Sequence, residues 1–472
     1  MSFGKDEEVL LNYFFRTTNI GYKLRTGYSL TRLDVVDKIL ETFFEGDIDD
    51  KKDTFLIMDD FGWFTVRIYN YLMEKLKNKF PNIAERKKNV ISRLFIFPKD
   101  ERSKVIVKKT MEYSKIGNEI KIFDNIDELN IKFDNVIGNP PFSISQEQNK
   151  NILKCDSNSY TKNLPAVYHL YVEKAFLMAN KYVSMIIPSR FLTRVAKGVP
   201  NEFIDDILKS DSFVIINDYE DSNKMFQDIK IRGGIVYFLW KKDYHGDCRY
   251  YFHECNSDDV ISRCGKLDNL NLGIVLRNPK VHSIVQKIIS VEGNYYQNKN
   301  FSNLITPKRY FGLESNWNEY NDEKTDIYNI KYYTLENSIR TFKWICNNQL
   351  EKGQFLKNQW KIYLPATYGK GVMNDSPNIF IGEPGSICSN TYLTIGYGRK
   401  FTEEQCHNII SYIRTKFFRF LVGTIKKTPT GTRKVYKLVP IQDFSKPWTD
   451  KELYEKYGFS DEEISLIEEL KD

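Results

Sequence analysis

The stretch Phe133–Phe142, which reads FDNVIGNPPF, limits the possible fold of this chain more than any other. The apolar residues before Gly138 predict a buried strand that ends at the glycine. Pro140 and Pro141 follow one residue later, and two consecutive prolines cannot continue a helix or an interior strand. The backbone must therefore leave a sheet here in an extended loop.

The predicted loop presents three chemical groups at one place. Asn139 has a side-chain carbonyl, Pro140 has a backbone carbonyl without an N–H of its own, and Phe142 has an aromatic face. Two acceptors and a stacking ring suit a planar aromatic amine, such as that of a nucleobase turned out of its duplex. A plain proline turn, with Asn139 as a cap and Phe142 in the core, is the alternative. Because ligands bind at the carboxyl ends of strands in α/β sheets, the position favours a binding role.

The segment Gly138–Phe142 resembles the catalytic motif of the adenine-specific (N6) DNA methyltransferases of restriction-modification systems, in the class whose cofactor half precedes the catalytic loop. The resemblance implies an α/β fold, with a Rossmann-like seven-stranded methyltransferase sheet, helices on both faces, and a mixed α+β C-terminal DNA-recognition domain. It implies a catalytic tetrapeptide of Asn139, Pro140, Pro141 and Phe142. Asn139 and Pro140 would bind the adenine amine, Phe142 would stack on the flipped base, and S-adenosylmethionine would donate the methyl group.

The resemblance also implies a cofactor site in the first half of the chain. Thr31 matches a motif that starts a helix over the cofactor, although Arg32 replaces the usual proline. Trp63 and Phe64 stand where the family has glycine, and Pro98 stands where an acid is expected to bind ribose hydroxyls. The predicted cofactor-binding residues are Thr31, Asp59, Asp60, Gly62, Asp100 and Asp124.

Strand signals recur up to residue 240 and predict one sheet. They are Thr54–Met58, Leu94–Phe97, Glu119–Phe123, the strand before Gly138, Val183–Ile187, Phe213–Asp218 and Gly234–Trp240. Residues 1–45 are expected to be mainly helical, with an apolar stripe over 35–43, and Tyr168–Ala179 is expected to be a helix with Leu170, Tyr171, Ala175 and Leu177 inward. The polar stretch 143–164 reads as a lid or a DNA-contacting loop, or as a segment that is disordered until DNA arrives. The segment Met225–Asp228 is similar to the family loop that flanks the target base.

We therefore expect a methyltransferase domain over residues 1–243, a target-recognition domain over 244–442 and a helical tail over 443–472. A helix is predicted over Ser411–Leu421, and the 24 positions from Arg414 to Lys437 contain no acid. A basic run is usually a solvated face, but the Thr428–Thr432 loop and the nearby aromatic rings favour phosphate contacts. The predicted DNA-binding residues are Lys370, Arg414, Lys416, Arg419, Lys426, Lys427, Arg433 and Lys434.

The composition is that of a globular protein. The net charge permits binding to nucleic acid but does not prove it. The net charge is +7, with 41% hydrophobic and 28% charged residues. Seven scattered cysteines fit reduced thiols, and the absence of a long apolar run or a signal peptide predicts a cytoplasmic protein without a membrane partner. Cys248, His253, Cys255 and Cys264 lack the paired spacing of a zinc site, so no metal is expected.

The sequence thus predicts a site-specific methyltransferase that moves a methyl group from S-adenosylmethionine to the N6 amine of a flipped adenine in double-stranded DNA. Restriction-modification or the protection of phage DNA would be its setting, with a separate restriction endonuclease as a candidate partner. The altered cofactor segments leave an alternative, which is a DNA-binding protein on a methyltransferase scaffold with weakened or lost cofactor binding. A fused restriction enzyme is a more distant alternative, because no nuclease motif is evident.

Overall fold

A computed structural model describes residues 30–117, 119–124, 126, 131–143, 166–227, 231–255, 257–370 and 375–469. The predicted loop over 143–164 lies almost wholly outside the described residues, as do most of the predicted N-terminal helix and Asp228. The chain divides into two compact units. The first comprises Met1–Asn269 and Gly273–Val275, and the second comprises Leu270–Leu272 and Leu276–Asp472.

The first unit alternates strands and helices. Its described helices are α1 (Leu33–Phe43), α2 (Trp63–Lys75), α3 (Ile83–Ile91), α4 (Glu101–Tyr113), α5 (Tyr168–Met178) and α6 (Asn201–Lys209). Its described strands are β1 (Leu30–Thr31), β2 (Phe55–Met58), β3 (Leu94–Phe97), β4 (Lys121–Ile122), β5 (Phe133–Gly138), β6 (Ala179–Pro188), β7 (Phe213–Tyr219), β8 (Phe226–Gln227), β9 (Ile235–Lys241), β10 (Cys248–His253) and β11 (Val260–Gly265). Short 3₁₀ turns cover Ser189–Thr193 and Ser222–Lys224.

Nine of these strands form one sheet in the order β11-β10-β7-β9-β6-β5-β2-β3-β4. Five neighbouring strands, β6, β5, β2, β3 and β4, are parallel to one another. Strand β9 runs antiparallel to both β6 and β7. All seven predicted strands lie in this sheet, which confirms the α/β class. The β10–β11 pair extends the sheet beyond residue 243, where we expected the domain to end, because β10 pairs in parallel with β7.

Alternate residues of the central strands face two separate hydrophobic cores, since successive side chains of a strand point to opposite faces. Phe55 and Ile57 of β2 belong to the core that also holds α1 and α2, whereas Leu56 and Met58 belong to the core that holds α5 and α6. The predicted apolar stripe of α1 is confirmed, because its buried residues are Val35, Val36, Ile39, Leu40 and Phe43. Helices thus cover both faces of the sheet, as the resemblance implies.

The second unit contains shorter and more mixed elements. Its described helices are α7 (Val281–Glu292), α8 (Tyr295–Asn298), α9 (Gln354–Lys357), α10 (Glu403–Arg414), α11 (Lys416–Ile425), α12 (Asp450–Tyr457) and α13 (Asp461–Glu468). Its described strands are β12 (Tyr328–Glu336), β13 (Ile339–Cys346), β14 (Lys361–Pro365), β15 (Phe380–Gly382), β16 (Ser386–Cys388) and β17 (Tyr392–Ile395). They form two three-stranded sheets, β13-β12-β16 and β15-β14-β17. The 3₁₀ turns are Phe301–Leu304, Asn347–Gln349 and Arg433–Tyr436.

The C-terminal tail belongs to this second unit. Thr449 and Ser460 cap α12 and α13, and each forms a capping box with the glutamate three residues later. Gly458 ends α12 in the left-handed conformation, with a φ of 60°. Within the described residues, no helix has the length and apolarity that crossing a membrane requires.

Candidate active site at the switch point of the sheet

The order in which the chain adds strands to the sheet reverses between β2 and β5, which are themselves parallel. From β2 the strands proceed outward through β3 to β4, and the chain then returns to β5 and proceeds the other way to β6. Met58 and Gly138, the last residues of β2 and β5, are paired. In open α/β sheets, ligands bind beyond the carboxyl ends of the strands at such a switch point. The Asn139–Phe142 loop therefore begins where the topology alone predicts a binding site.

Gly138 allows the two strands to approach each other closely where they end. Its φ is +139°, and a Cβ atom built on it would lie 2.0 Å from the carbonyl oxygen of Met58. The Asn139 amide then donates to the same Met58 carbonyl at 2.9 Å. Only glycine fits this position, because any side chain would overlap backbone atoms. The loop is thereby anchored to the sheet at its first residue.

The side chain of Asn139 is held by a residue far away in the sequence. Its Nδ2 donates to the hydroxyl of Thr31 at 3.3 Å, and Thr31 is only 3% exposed. Thr31 lies in β1, which pairs with β8 so that Thr31 is opposite Phe226. Thr31, which was predicted to bind the cofactor, thus contacts the NPPF loop directly.

Phe142 lies half-buried beside the same short sheet. Its ring centroid is 5.9 Å from that of the buried Phe226, in an edge-to-face arrangement at 76°. Its carbonyl accepts a hydrogen bond from the Val167 amide at 3.0 Å, next to the start of α5. The structure therefore brings together the NPPF loop and the segment that resembles the family's base-flanking loop. That Phe226 is the contacting residue could not be read from the sequence.

Pro140 and Pro141 are both buried. Among the described residues, none donates a hydrogen bond to the Pro140 carbonyl. A backbone carbonyl has two lone pairs that can accept hydrogen bonds. This carbonyl is consequently suited to receive an N–H from a bound molecule.

The loop after β2 has a different construction. Asp59 is buried, and its carboxylate accepts four hydrogen bonds, from the amides of Phe61, Gly62 and Thr65 and from the Thr65 hydroxyl, at 2.8–3.2 Å. Burial raises the pKa of this carboxyl, and the hydrogen bonds act in the opposite direction. Asp59 therefore organises its own loop and the start of α2, and contact with a cofactor would have to involve other atoms of the loop.

Gly62 is required here by packing within the unit. Its φ is +84°, and an added Cβ would lie 2.8 Å from the side chain of Thr110 on α4. The sequence suggested that a cofactor lies against this glycine, but the space on its Cβ side is filled by Thr110. Trp63 and Phe64, which replace the expected glycines, are buried in the hydrophobic core that contains α1 and α2.

The remaining predicted acids differ in their surroundings. Asp60 is half-buried, and its Oδ1 accepts a hydrogen bond from the Lys99 amide at 2.9 Å. Burial raises the pKa of Asp60 to about 6, although the Lys99 ammonium lowers it. Asp100 caps α4 by accepting from the Ser103 amide at 2.9 Å. Asp124, whose side chain is 60% exposed, forms an ion pair with Lys104 at 2.6 Å.

Two lysines of the basic run form ion pairs within the second unit. Lys426 is 1% exposed and pairs with Asp375, while Lys416 pairs with Glu468 at 2.5 Å. Lys426 was predicted to contact DNA phosphate, but in the structure its ammonium is buried in this ion pair. Of the other predicted DNA-binding residues, Arg419 is buried, Arg433 and Lys427 are half-buried, and Lys370, Arg414 and Lys434 are exposed.

Two glycine-containing loops of the second unit lie side by side. Thr367 pairs with Thr430, and the Tyr368 amide donates to the Pro429 carbonyl at 2.9 Å. The Gly431 amide in turn donates to the Ala366 carbonyl at 3.0 Å. The loop that carries Lys370 and the Thr428–Thr432 loop are thus one structural feature. In the described parts of the chain there is no cluster of three or more His, Cys, Asp or Glu side chains placed to hold a metal ion.

The NPPF loop at the switch point of the α/β sheet thus contains the ring of Phe142, the anchored Asn139 and the Pro140 carbonyl, to which none of the described residues donates. Residues 41–226 match the model of the Eco57I restriction-modification methylase family. This match confirms the resemblance to restriction-modification methyltransferases.

Individual relatives were also compared with the chain. An "uncharacterized adenine-specific methylase" of Mycoplasma pneumoniae is 33% identical over 116 residues, which span 25% of each protein. The solved type IIL restriction-modification enzyme MmeI in complex with DNA is 10% identical, with 89% of this chain and 69% of that chain covered and a TM-score of 0.48. A DrdV–DNA complex is 12% identical, with 92% and 57% covered and a TM-score of 0.48.

Proposed function

We propose that this protein is an adenine-specific DNA methyltransferase that uses S-adenosylmethionine and acts on the N6 amine of a flipped base. The observation that supports this most directly is the loop at the switch point, which contains Asn139, Pro140 and Phe142 and is anchored by Met58, Thr31 and Phe226. Two acceptors that receive the hydrogens of one amine direct its lone pair outward and make a weak nucleophile usable. Phe142 would stack on the extruded base and hold its plane.

The chain's own residues would act mainly by positioning. Thr31 fixes the amide of Asn139, Gly138 fixes the start of the loop, and Phe226 supports the ring of Phe142. The cofactor supplies the methyl group as part of a sulfonium ion. Asn139 and Pro140 would hold the amine through the transfer, after which the amine loses one proton. Holding the reactants in line supplies much of the rate enhancement in reactions of this type.

Double-stranded DNA is the proposed substrate, and the second unit is proposed to contact its phosphates. Lys370, Arg414 and Lys434 are exposed and suited to this, whereas Lys426 is not, because it is buried. The paired loops around Thr367 and Thr430 would allow the backbone to approach phosphates. A restriction-modification setting, with a separate endonuclease, is the proposed context.

One observation favours a second candidate, a DNA-binding protein on a methyltransferase scaffold that has lost cofactor binding. The amides of Phe61, Gly62 and Thr65, which lie in the loop expected to face the cofactor, are all bonded to Asp59. The Pro140 carbonyl opposes this candidate, because no described residue donates to it and catalysis would give this acceptor a use.

Methyl transfer from labelled S-adenosylmethionine to unmethylated genomic DNA, followed by mapping of the modified positions, tests the proposal. We expect label on adenine N6 within one short sequence. Asn139→Ala is expected to lower the turnover rate by about 100-fold or more, because one of two charge-stabilising contacts is lost, while its DNA affinity stays close to that of the wild type. Wild-type protein that binds DNA tightly but transfers no label would favour the second candidate.

A further inference from the structure

The acid that would bind the ribose of the cofactor is absent from its expected place. In nucleotide-binding α/β sheets, a carboxylate near the end of the second strand commonly accepts hydrogen bonds from the ribose hydroxyls. Because β1 belongs to a separate sheet, the second strand of the large sheet along the chain is β3. The residue that follows β3 is the buried Pro98. A ribose at this edge of the sheet would therefore need a carboxylate from another element.

Three of the nearby acids are already engaged. Both oxygens of Asp59 accept hydrogen bonds from their own loop. Asp100 caps α4, and Asp124 is paired with Lys104 at the surface. A ribose contact by any of these acids would have to compete with an existing interaction.

Asp60 has a different geometry. Its Oδ1 accepts from the amide of Lys99, which is the second residue after β3. This bond links the loop after β2 to the loop after β3, so the carboxylate lies between the ends of two adjacent parallel strands. Among the described residues, none donates to its Oδ2. One oxygen of Asp60 is thus fixed, and the other is available at the edge where the expected acid would have been.

From this placement we infer that Asp60 is the carboxylate that binds the ribose hydroxyls of the cofactor, in place of the acid missing after β3. The inference rests on the proposed function, because it requires a cofactor with a ribose. It gives the cofactor a specific contact in a loop whose amides are otherwise bonded internally.

The surroundings of Asp60 suit this role. Besides the Lys99 ammonium, the charged or titratable groups that act on it are Asp59 and Asp100, and Asp60 in turn acts on the Tyr171 hydroxyl. Burial raises the pKa of Asp60 to about 6. Hydrogen bonds to a partly desolvated carboxylate are stronger than those between neutral groups. The carboxyl would have to be ionised to accept both hydroxyl protons, so binding should weaken as the pH falls below about 6.

The test compares the affinity of the full-length protein for S-adenosylmethionine and for its 2′-deoxy analogue, measured by calorimetry. We expect the wild type to bind the analogue about 10- to 100-fold more weakly, as is usual when a hydrogen bond to a charged group is lost. Asp60→Asn should lose a similar factor for S-adenosylmethionine and should no longer distinguish the two ligands. Its affinity should also stay constant between pH 7 and pH 5, where that of the wild type falls.

Glu101→Gln is the matched control, since it removes one acidic charge from an exposed side chain just after β3 and should retain wild-type affinity and discrimination. Thermal unfolding of Asp60→Asn identifies a folding defect, and the analogue on wild-type protein tests the contact without any substitution. If the wild type binds S-adenosylmethionine but Asp60→Asn retains both affinity and discrimination, the assignment of Asp60 is overturned and the proposed function stands. If the wild type binds neither ligand, both are overturned.

Discussion

The loops that follow β5 and β2 lie next to each other in the sheet but use their polar groups in opposite ways. In the loop after β5, none of the described residues donates to the Pro140 carbonyl, and the Asn139 side chain is held by a hydrogen bond to Thr31. The loop after β2 directs its amides inward to Asp59. We therefore expect the first loop to bind a ligand, whereas Asp59 of the second loop holds that loop and the start of α2 in place. Substitutions of Asn139 in the first loop should affect activity, and those of Asp59 in the second should affect stability.

Gly138→Ala should have the largest effect on stability, although Gly138 directly precedes the first loop. It would therefore show where the structural role ends and the role in activity begins. The added methyl group would lie 2.0 Å from the Met58 carbonyl, on backbone whose φ is +139°. Because neither backbone can move without separating β2 from β5, we expect a loss of about 3 kcal/mol or more in the free energy of unfolding. Urea denaturation measures this loss. The neighbouring Asn139→Ala should unfold within about 1 kcal/mol of the wild type, since the half-buried side chain loses a neutral hydrogen bond to Thr31.

Asp59→Ala should be the next most damaging substitution. It removes the acceptor of four hydrogen bonds in a buried loop, and we expect a loss of about 2–4 kcal/mol in the free energy of unfolding. Asp59→Asn, which keeps one acceptor oxygen, should lose less. The structural role of Asp59 in the loop after β2 would be contradicted if Asp59→Ala unfolded like the wild type and lost only its affinity for S-adenosylmethionine.

Thr31→Val should have the smallest effect. The hydroxyl that accepts from Asn139 would be replaced by a methyl group of similar volume, so packing in the short β1–β8 sheet should be kept. We expect methyl transfer to slow about 3- to 10-fold, as for the loss of one neutral hydrogen bond, with little change in the unfolding curve. Thr31→Ser retains the hydroxyl and should restore the rate. Equal rates for the valine and serine variants would mean that Thr31 does not position Asn139.

Some elements predicted from local patterns differ from the structure in ways that have clear causes. Leu170 and Leu177 were predicted to face inward, but their exposed fractions are 51% and 69%. The buried face of α5 instead includes Tyr168 and Val172, because the sheet contacts a different stripe of the helix. The helix predicted over Ser411–Leu421 is interrupted at Thr415, whose extended backbone and hydroxyl cap start α11.

The basic run shows most clearly what a linear pattern misses. Lys426 has its partner, Asp375, 51 residues earlier, and a run without acids gives no sign of it. Arg433 similarly donates to the Ser302 carbonyl at 2.7 Å, across 131 residues. Charge along the chain therefore overstated the number of residues available for phosphate contacts.

The sequence by itself determined seven of the nine strands of the sheet, the exit of the chain at Gly138 and the chemical groups of the NPPF loop. These features depend on hydrophobic period and on the backbone limits of glycine and proline, which act between neighbouring residues. The tertiary structure alone decided that Thr31 holds Asn139, that Phe226 supports Phe142 and that Asp60 lies between the ends of β2 and β3. Those contacts join residues 39 to 108 positions apart, and only the order of strands in the sheet brings them together.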